Sequence, residues 1–153
     1  MIDLLYELMK NSKRSDRELA RVVHVSQPTI TRMRKSLEKN EYVREYTVMP
    51  AFEKLGFEIL AFNFVTAPVA LKGNADVQVW IEKNPSVVFG GSGEGLNGKT
   101  LLMVSLHRSF TEFSGFTGSL RSAVGPAATV ESYLVSISKG VVKHFSLKQL
   151  EKG

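Results

Sequence analysis

The sequence predicts an α+β protein in two parts, a helix-turn-helix (winged-helix-like) unit followed by a ferredoxin-like β-α-β-β-α-β sandwich. Three observations predict it. Apolar residues recur at helical spacing through the first fifty positions and shift to strand-like alternation after Pro50. Capping signals at Ser15 and Ser26 stand close enough to start a tight pair of helices. Beyond the shift, strand-like and helix-like stretches alternate in the order of a split β-α-β sandwich. Residues 1–50 are read as the helical domain, 51–57 as a hinge and 58–153 as the sandwich.

In the first stretch, "IDLLYELM", Ile2, Leu5, Tyr6 and Met9 share one helical face. Ser15-Asp16-Arg17-Glu18 is a capping box, in which Ser15 caps and Glu18 reaches back, and Leu19, Val22 and Val23 supply an apolar face behind it. Ser26 is a good N-cap for a third helix, and Pro28 costs nothing in a first turn whose N–H groups lack helical partners. Asn40 is the expected stop, since Asn tolerates the left-handed conformation. In the second part "EILAFNFVTA" reads as a strand with Leu60, Phe62 and Phe64 on one face. "GNADVQVWIEKN" reads as a helix capped by Asn74, and "SVVF" and "TLLMVSLH" as strands. "SFTEFSGFTGSLRSAV" opens with a second capping box, Ser109 to Glu112, and carries Phe113, Phe116, Leu120 and Val124 on one stripe; "ATVESYLVSIS" alternates again. "ILAFNFV" is too apolar to leave wet, so the sheet face is expected to dimerise with Phe62 or Phe64 near the seam.

Composition narrows the function. Of 153 residues 43% are hydrophobic and 23% charged, as in ordinary globular proteins. No apolar run approaches the roughly 20 residues of a membrane helix. "MIDLLYELMKN" lacks a signal peptide's cleavage site, so a cytoplasmic protein with no membrane contact is expected. The absence of cysteine excludes disulfides, iron–sulfur clusters and thiolate zinc sites; His24, His107 and His144 lack metal-ligand spacing, so no cofactor is expected. The net charge of +5 is concentrated: Lys13 to Arg44 holds nine Lys/Arg against four Asp/Glu, and the remainder is balanced at eleven of each. A basic segment on a neutral body is the footprint of a polyanion binder.

The third helix sharpens that expectation. Ile30, Met33 and Leu37 cluster on one side, and Gln27, Pro28, Thr31, Arg32 and Lys35 lie opposite with Arg34 on the flank. No acid occurs in this helix before Glu38, and the exposed types are those that hydrogen-bond base edges and phosphates. Gln27, Pro28 and Thr31 at the N-terminal end, with Arg32, are the expected base readers; Arg34, Lys35, Arg14 and Arg17 are the expected phosphate contacts.

"SDRELARVVHVSQPTITRMRKSLEKNEYVREYTVMPAFEKLGFEILAF" resembles the Lrp/AsnC (feast/famine) transcription regulators. The carrying residues are Ser15, Glu18-Leu19-Ala20, Val25-Ser26, Thr29-Ile30, Arg32, Leu37-Glu38, Tyr46 and Leu55-Gly56, and the β-α-β-β-α-β remainder matches the family's regulatory half. The resemblance implies a homodimer, often assembled further, that binds double-stranded operator DNA and can respond to an amino acid. His24 and Asn40 stand where the family usually has Gly. Effector contacts are implied around a Gly-x-x-Asp pattern. This chain has Gly95-Leu96-Asn97-Gly98 followed by Lys99, with no carboxylate for an amino group.

Two enzymatic alternatives compete. "GEGLNGKT", Gly93 to Thr100, fits the phosphate-loop pattern, which requires a helix after it and a magnesium-holding carboxylate. "TLLMVSLH" reads as a strand instead, no Asp follows Asp76, and a β-hairpin is the better expectation. A siroheme-decarboxylase-like enzyme on a similar pair of domains would need histidines in the second half, where only His107 and His144 occur.

Overall fold

The computed structural model describes residues 1–66, 75–95 and 97–150. The chain separates into two compact units: Met1–Met49 together with the segment that starts at Lys143, and Pro50–Val142.

The first unit is built on α1 (Ile2–Lys10), α2 (Asp16–Val23) and α3 (Gln27–Lys39). Its core is Leu4, Leu8, Leu19, Ala20, Ile30 and Leu37, with Leu5, Val23, Val25, Met33 and Val43 packed against it. A fully buried aliphatic side chain contributes about 1.5–3 kcal/mol, so Leu4, Leu19, Ile30 and Leu37, all at zero exposure, dominate this small core. Helix α1 turns a different face inward from the expected one, burying Leu4 and Leu8 and leaving Ile2 exposed. "IDLLYELM" offers two overlapping apolar stripes, and Leu4 and Leu8 enter the core while Leu5 of the other stripe packs against it. Val22 is likewise exposed, whereas Leu19 and Ala20 are buried.

The expected caps form at α2 and α3. Ser15 Oγ accepts from Glu18 N at 3.3 Å, and Glu18 accepts from Ser15 N at 2.8 Å. Ser26 Oγ accepts from Thr29 N at 3.4 Å. His24 takes the left-handed conformation at φ 58° and closes the turn between α2 and α3. At the end of α3 the left-handed residue is Glu41 (φ 57°), not Asn40 (φ −95°). Asn40 stops the helix with its side chain, its Nδ2 donating to Ser36 O at 2.8 Å. Residues 41–51 then carry neither helix nor strand.

The second unit begins with a 3₁₀ turn, Phe52–Leu55, and continues β1 (Ile59–Thr66), α4 (Ala75–Lys83), β2 (Val87–Ser92), β3 (Leu101–His107), α5 (Phe110–Val124), β4 (Thr129–Ser136) and a short α6 (Ile137–Gly140). The four strands form an antiparallel sheet in the order β2-β3-β1-β4, the ferredoxin-like arrangement. The cap expected at Asn74 lies outside the described residues. Ser109 caps α5 by accepting from Glu112 N, but the Glu112 carboxylate bonds Arg108 N, one residue short of closing the expected box.

Helices α4 and α5 cover one face, where Val65, Val77, Met103, Phe116, Leu120 and Val124 form the core. Gly90 lets α4 approach, since a Cβ there would lie 2.8 Å from Ile81 Cγ2. A neutral polar chain crosses the same face. Ser132 Oγ donates to Asn63 Oδ1 at 2.8 Å, Asn63 Nδ2 donates to Ser105 Oγ at 2.9 Å, and Ser105 Oγ meets His107 Nε2 at 2.8 Å. Asn63, Ser105 and His107 are fully buried. On the opposite face the register sets Phe89, Val104, Phe62 and Tyr133 in one row and Gly91, Leu102, Phe64 and Glu131 in the next. Phe89 and Tyr133 are 56% and 68% exposed, so this face is uncovered in the single chain.

Candidate nucleic-acid interface

Helix α3 owes its orientation to the residues it buries. With Ile30 and Leu37 sealed and Met33 packed against the same core, the opposite side is pinned outward. Gln27, Pro28, Thr31, Arg32 and Lys35 are all exposed there, as is Arg17 on α2. Five of the eight residues expected at the interface thus share one helix face.

The remaining cations are engaged inside the unit. Arg14 is half-buried and its guanidinium pairs with Glu7, which also takes Lys10 Nζ at 2.6 Å. Those contacts, Lys10 foremost, hold the Glu7 carboxyl below its ordinary pKa. Arg34 is half-buried and donates through Nε (3.2 Å) and Nη2 (2.8 Å) to Asp16 Oδ1. The other carboxylate oxygen, Asp16 Oδ2, accepts from Thr31 Oγ1 at 2.7 Å. The Thr31 hydrogen bond first, then Arg34, depress the Asp16 pKa. Partial burial opposes the charge on Arg34, yet Tyr46 and Asp16 outweigh it and raise its pKa. Tyr46 also donates to Glu38 Oε1 at 2.9 Å, tying the segment after α3 back onto the helix.

Asp16 and Tyr46 were absent from the expected site. Asp16 lies 15 residues from Thr31 and 18 from Arg34, so no local pattern links them.

The second group of expected residues lies on the hairpin between β2 and β3. The strands pair antiparallel and β3 begins at Leu101, so no helix follows Lys99-Thr100 as a phosphate loop demands. Gly95, Asn97 and Gly98 have φ of 129°, 58° and 81°, which explains the glycine-rich composition as turn chemistry; Leu96 lies outside the described residues. Lys99 Nζ pairs with Glu131 Oε1 on β4 at 2.5 Å. Beside it a cavity of about 240 Å³ is lined by Phe64, Phe89, Lys99, Leu101 and Leu102 with the glycines of the hairpin.

Among the described residues no His/Asp/Glu group could hold a metal, and no helix is long and apolar enough to cross a membrane. His107 is sealed between Phe113 and Phe116, with ring centroids 5.5 and 4.9 Å away, whereas His144 is exposed.

Residues 2–44 match the model of the winged helix-turn-helix DNA-binding family. Comparison with curated protein sequences gives no match. Solved structures match over nearly the whole chain. A transcriptional regulator of Neisseria meningitidis, in complex with L-Met, has a TM-score of 0.82 at 22% identity, with 97% of this chain and 93% of that one covered. AsnC of E. coli gives 0.76 at 16% identity, covering 95% and 93%. LrpC of B. subtilis gives 0.72 at 21%, covering 96% and 95%. Residues 2–44 are thus similar to the winged helix-turn-helix DNA-binding family, and over nearly its full length the chain shares the fold of AsnC of E. coli and LrpC of B. subtilis.

Proposed function

We propose that this protein is a sequence-specific transcriptional regulator that binds double-stranded operator DNA as a homodimer through α3. The observation that carries the proposal is the exposed face of α3, which presents Gln27, Pro28, Thr31, Arg32 and Lys35 with no acid before Glu38. Gln27 can pair bidentately with adenine, Thr31 can set its methyl against thymine, and Arg32 suits guanine. Lys35 and Arg17 are free for phosphates, whereas Arg14 and Arg34 could serve only if their internal ion pairs opened. The open sheet face supports dimerisation, because two copies placed face to face would cover Phe62, Phe64, Phe89 and Tyr133 together. A dimer also supplies the two-fold symmetry that a palindromic operator matches.

The hairpin around Gly95, Asn97, Gly98 and Lys99 is proposed as the effector-responsive element. The L-Met complex of the Neisseria regulator supports an effector of the amino-acid class. In this chain Glu131 already occupies Lys99, so an effector carboxylate would take that place. Selection of bound sequences from a random DNA pool tests the function: the account expects an enriched, roughly palindromic site bound by a dimer. An unenriched pool, or a protein monomeric by light scattering at micromolar concentration, would refute it.

A further inference from the structure

Asp16 is an acid placed where the surface is otherwise built for a polyanion. Its carboxylate is divided: one oxygen takes the Thr31 hydroxyl, the other takes two guanidinium N–H groups of Arg34. On α3 those two partners sit about 60° apart around the axis. Arg34 therefore lies beside the residues that would meet DNA while being turned away from it. A guanidinium that bonds a carboxylate in this way has two of its five N–H donors engaged and its charge already partnered. Both side chains are about four-fifths covered.

We propose that Asp16 acts as a positioning residue: it competes with the DNA backbone for Arg34 and so holds down the sequence-independent, salt-sensitive part of DNA binding. The inference rests on the reading of α3 as the DNA-contacting helix. Non-specific binding grows with every phosphate neutralised, whereas base reading does not. An internal carboxylate that removes one cation from the phosphate count lowers affinity for all DNA and leaves base discrimination intact. The operator-to-random ratio is unchanged; what falls is the sequence-independent affinity common to both.

The test uses Asp16→Asn in the full chain, because the Asn oxygen can still accept from Thr31 and only the charge is lost. Binding to the selected operator and to scrambled DNA is measured over a range of salt. The expected result is a salt slope steeper by about 0.9 and, near 0.1 M salt, affinity for scrambled DNA and for the operator both up by about eightfold, with the ratio between them unchanged. The double variant Asp16→Asn/Arg34→Gln is expected to return to the slope of the unmodified protein. Should Asp16→Asn fail the circular-dichroism check for folding, Asp16→Ser, which also offers an acceptor to Thr31, takes its place. An unchanged or shallower slope in a folded variant, or a double variant that stays steep, overturns the proposal. If the unmodified protein prefers its operator but Asp16→Asn behaves so, only this inference falls. If the unmodified protein binds no DNA, the reading of α3 falls with it.

Discussion

In the helical unit Asp16 and Arg34 form a charged pair that keeps about a fifth of each side chain in water. In the sheet unit a neutral chain runs from the exposed Ser132 through Asn63 and Ser105 to His107, the last three sealed. The energetics of the two arrangements differ. A partly exposed ion pair is worth about 0–1 kcal/mol, whereas an orphaned buried polar group costs about 1–3 kcal/mol. The buried chain therefore belongs to stability, because it fixes how β1, β3 and β4 pack beneath α5. The ion pair contributes little to stability and much to where one cation points. The difference teaches that the Asp16–Arg34 contact sets the direction of one cation on the surface, whereas the Asn63–Ser105–His107 contacts serve the packing of the sheet.

The largest expected effect breaks the assembly. Phe64→Asp places a charge on the open face of β1, and the account expects a monomer by light scattering with operator affinity down at least about a hundredfold, as lost bivalency gives. Next comes Leu120→Ala, which cuts into a fully buried position under the sheet and should cost about 2–5 kcal/mol. Trp80, the only tryptophan, packs against Phe116 in that unit, so its fluorescence follows the loss.

Asn63→Ala sharpens the comparison most directly. It removes the partner of both Ser132 and Ser105, and should cost about 1–3 kcal/mol in urea unfolding. Asp16→Asn should cost no more than about 1 kcal/mol. Equal losses would erase the distinction drawn between the two units.

Acid should separate them more gently. Burial holds His107 below its ordinary pKa, against the pull of Glu112, so the unfolded chain takes up the proton first. Stability tied to His107 is thus complete above about pH 6.5 and declines as pH falls below it. The Asp16 pKa is also depressed, but from the carboxylate range, so its contribution is lost only below about pH 4. Urea titrations followed by Trp80 from pH 7 to pH 5 should show a decline that His107→Gln removes; an undiminished decline in that variant would assign it elsewhere.

Much of this architecture was legible in the chain because its signals are local. The Ser15 box, the Ser26 cap and the stripe Phe113, Phe116, Leu120 and Val124 each depend on residues within a few turns. What escaped was decided by neighbours distant in sequence. Which stripe of α1 turns inward depends on the surfaces of α2 and α3. The engagement of Arg34 depends on an acid eighteen residues earlier, and that of Lys99 on one thirty-two residues later. Of the candidate interface, the exposed face of α3 was readable from periodicity, and the division of its cations into free and paired was not.

The central claim is that α3 reads bases with one arginine and grips the backbone with one lysine. Binding of Arg32→Ala and Lys35→Ala to operator and scrambled DNA over a range of salt tests it most directly. Arg32→Ala should cost about 1–3 kcal/mol on the operator and relax the preferred site. Lys35→Ala should weaken both DNAs alike and lower the salt slope by about one unit. An Arg32→Ala variant that weakens both DNAs equally, with a reduced slope, would make Arg32 a phosphate contact and contradict the account.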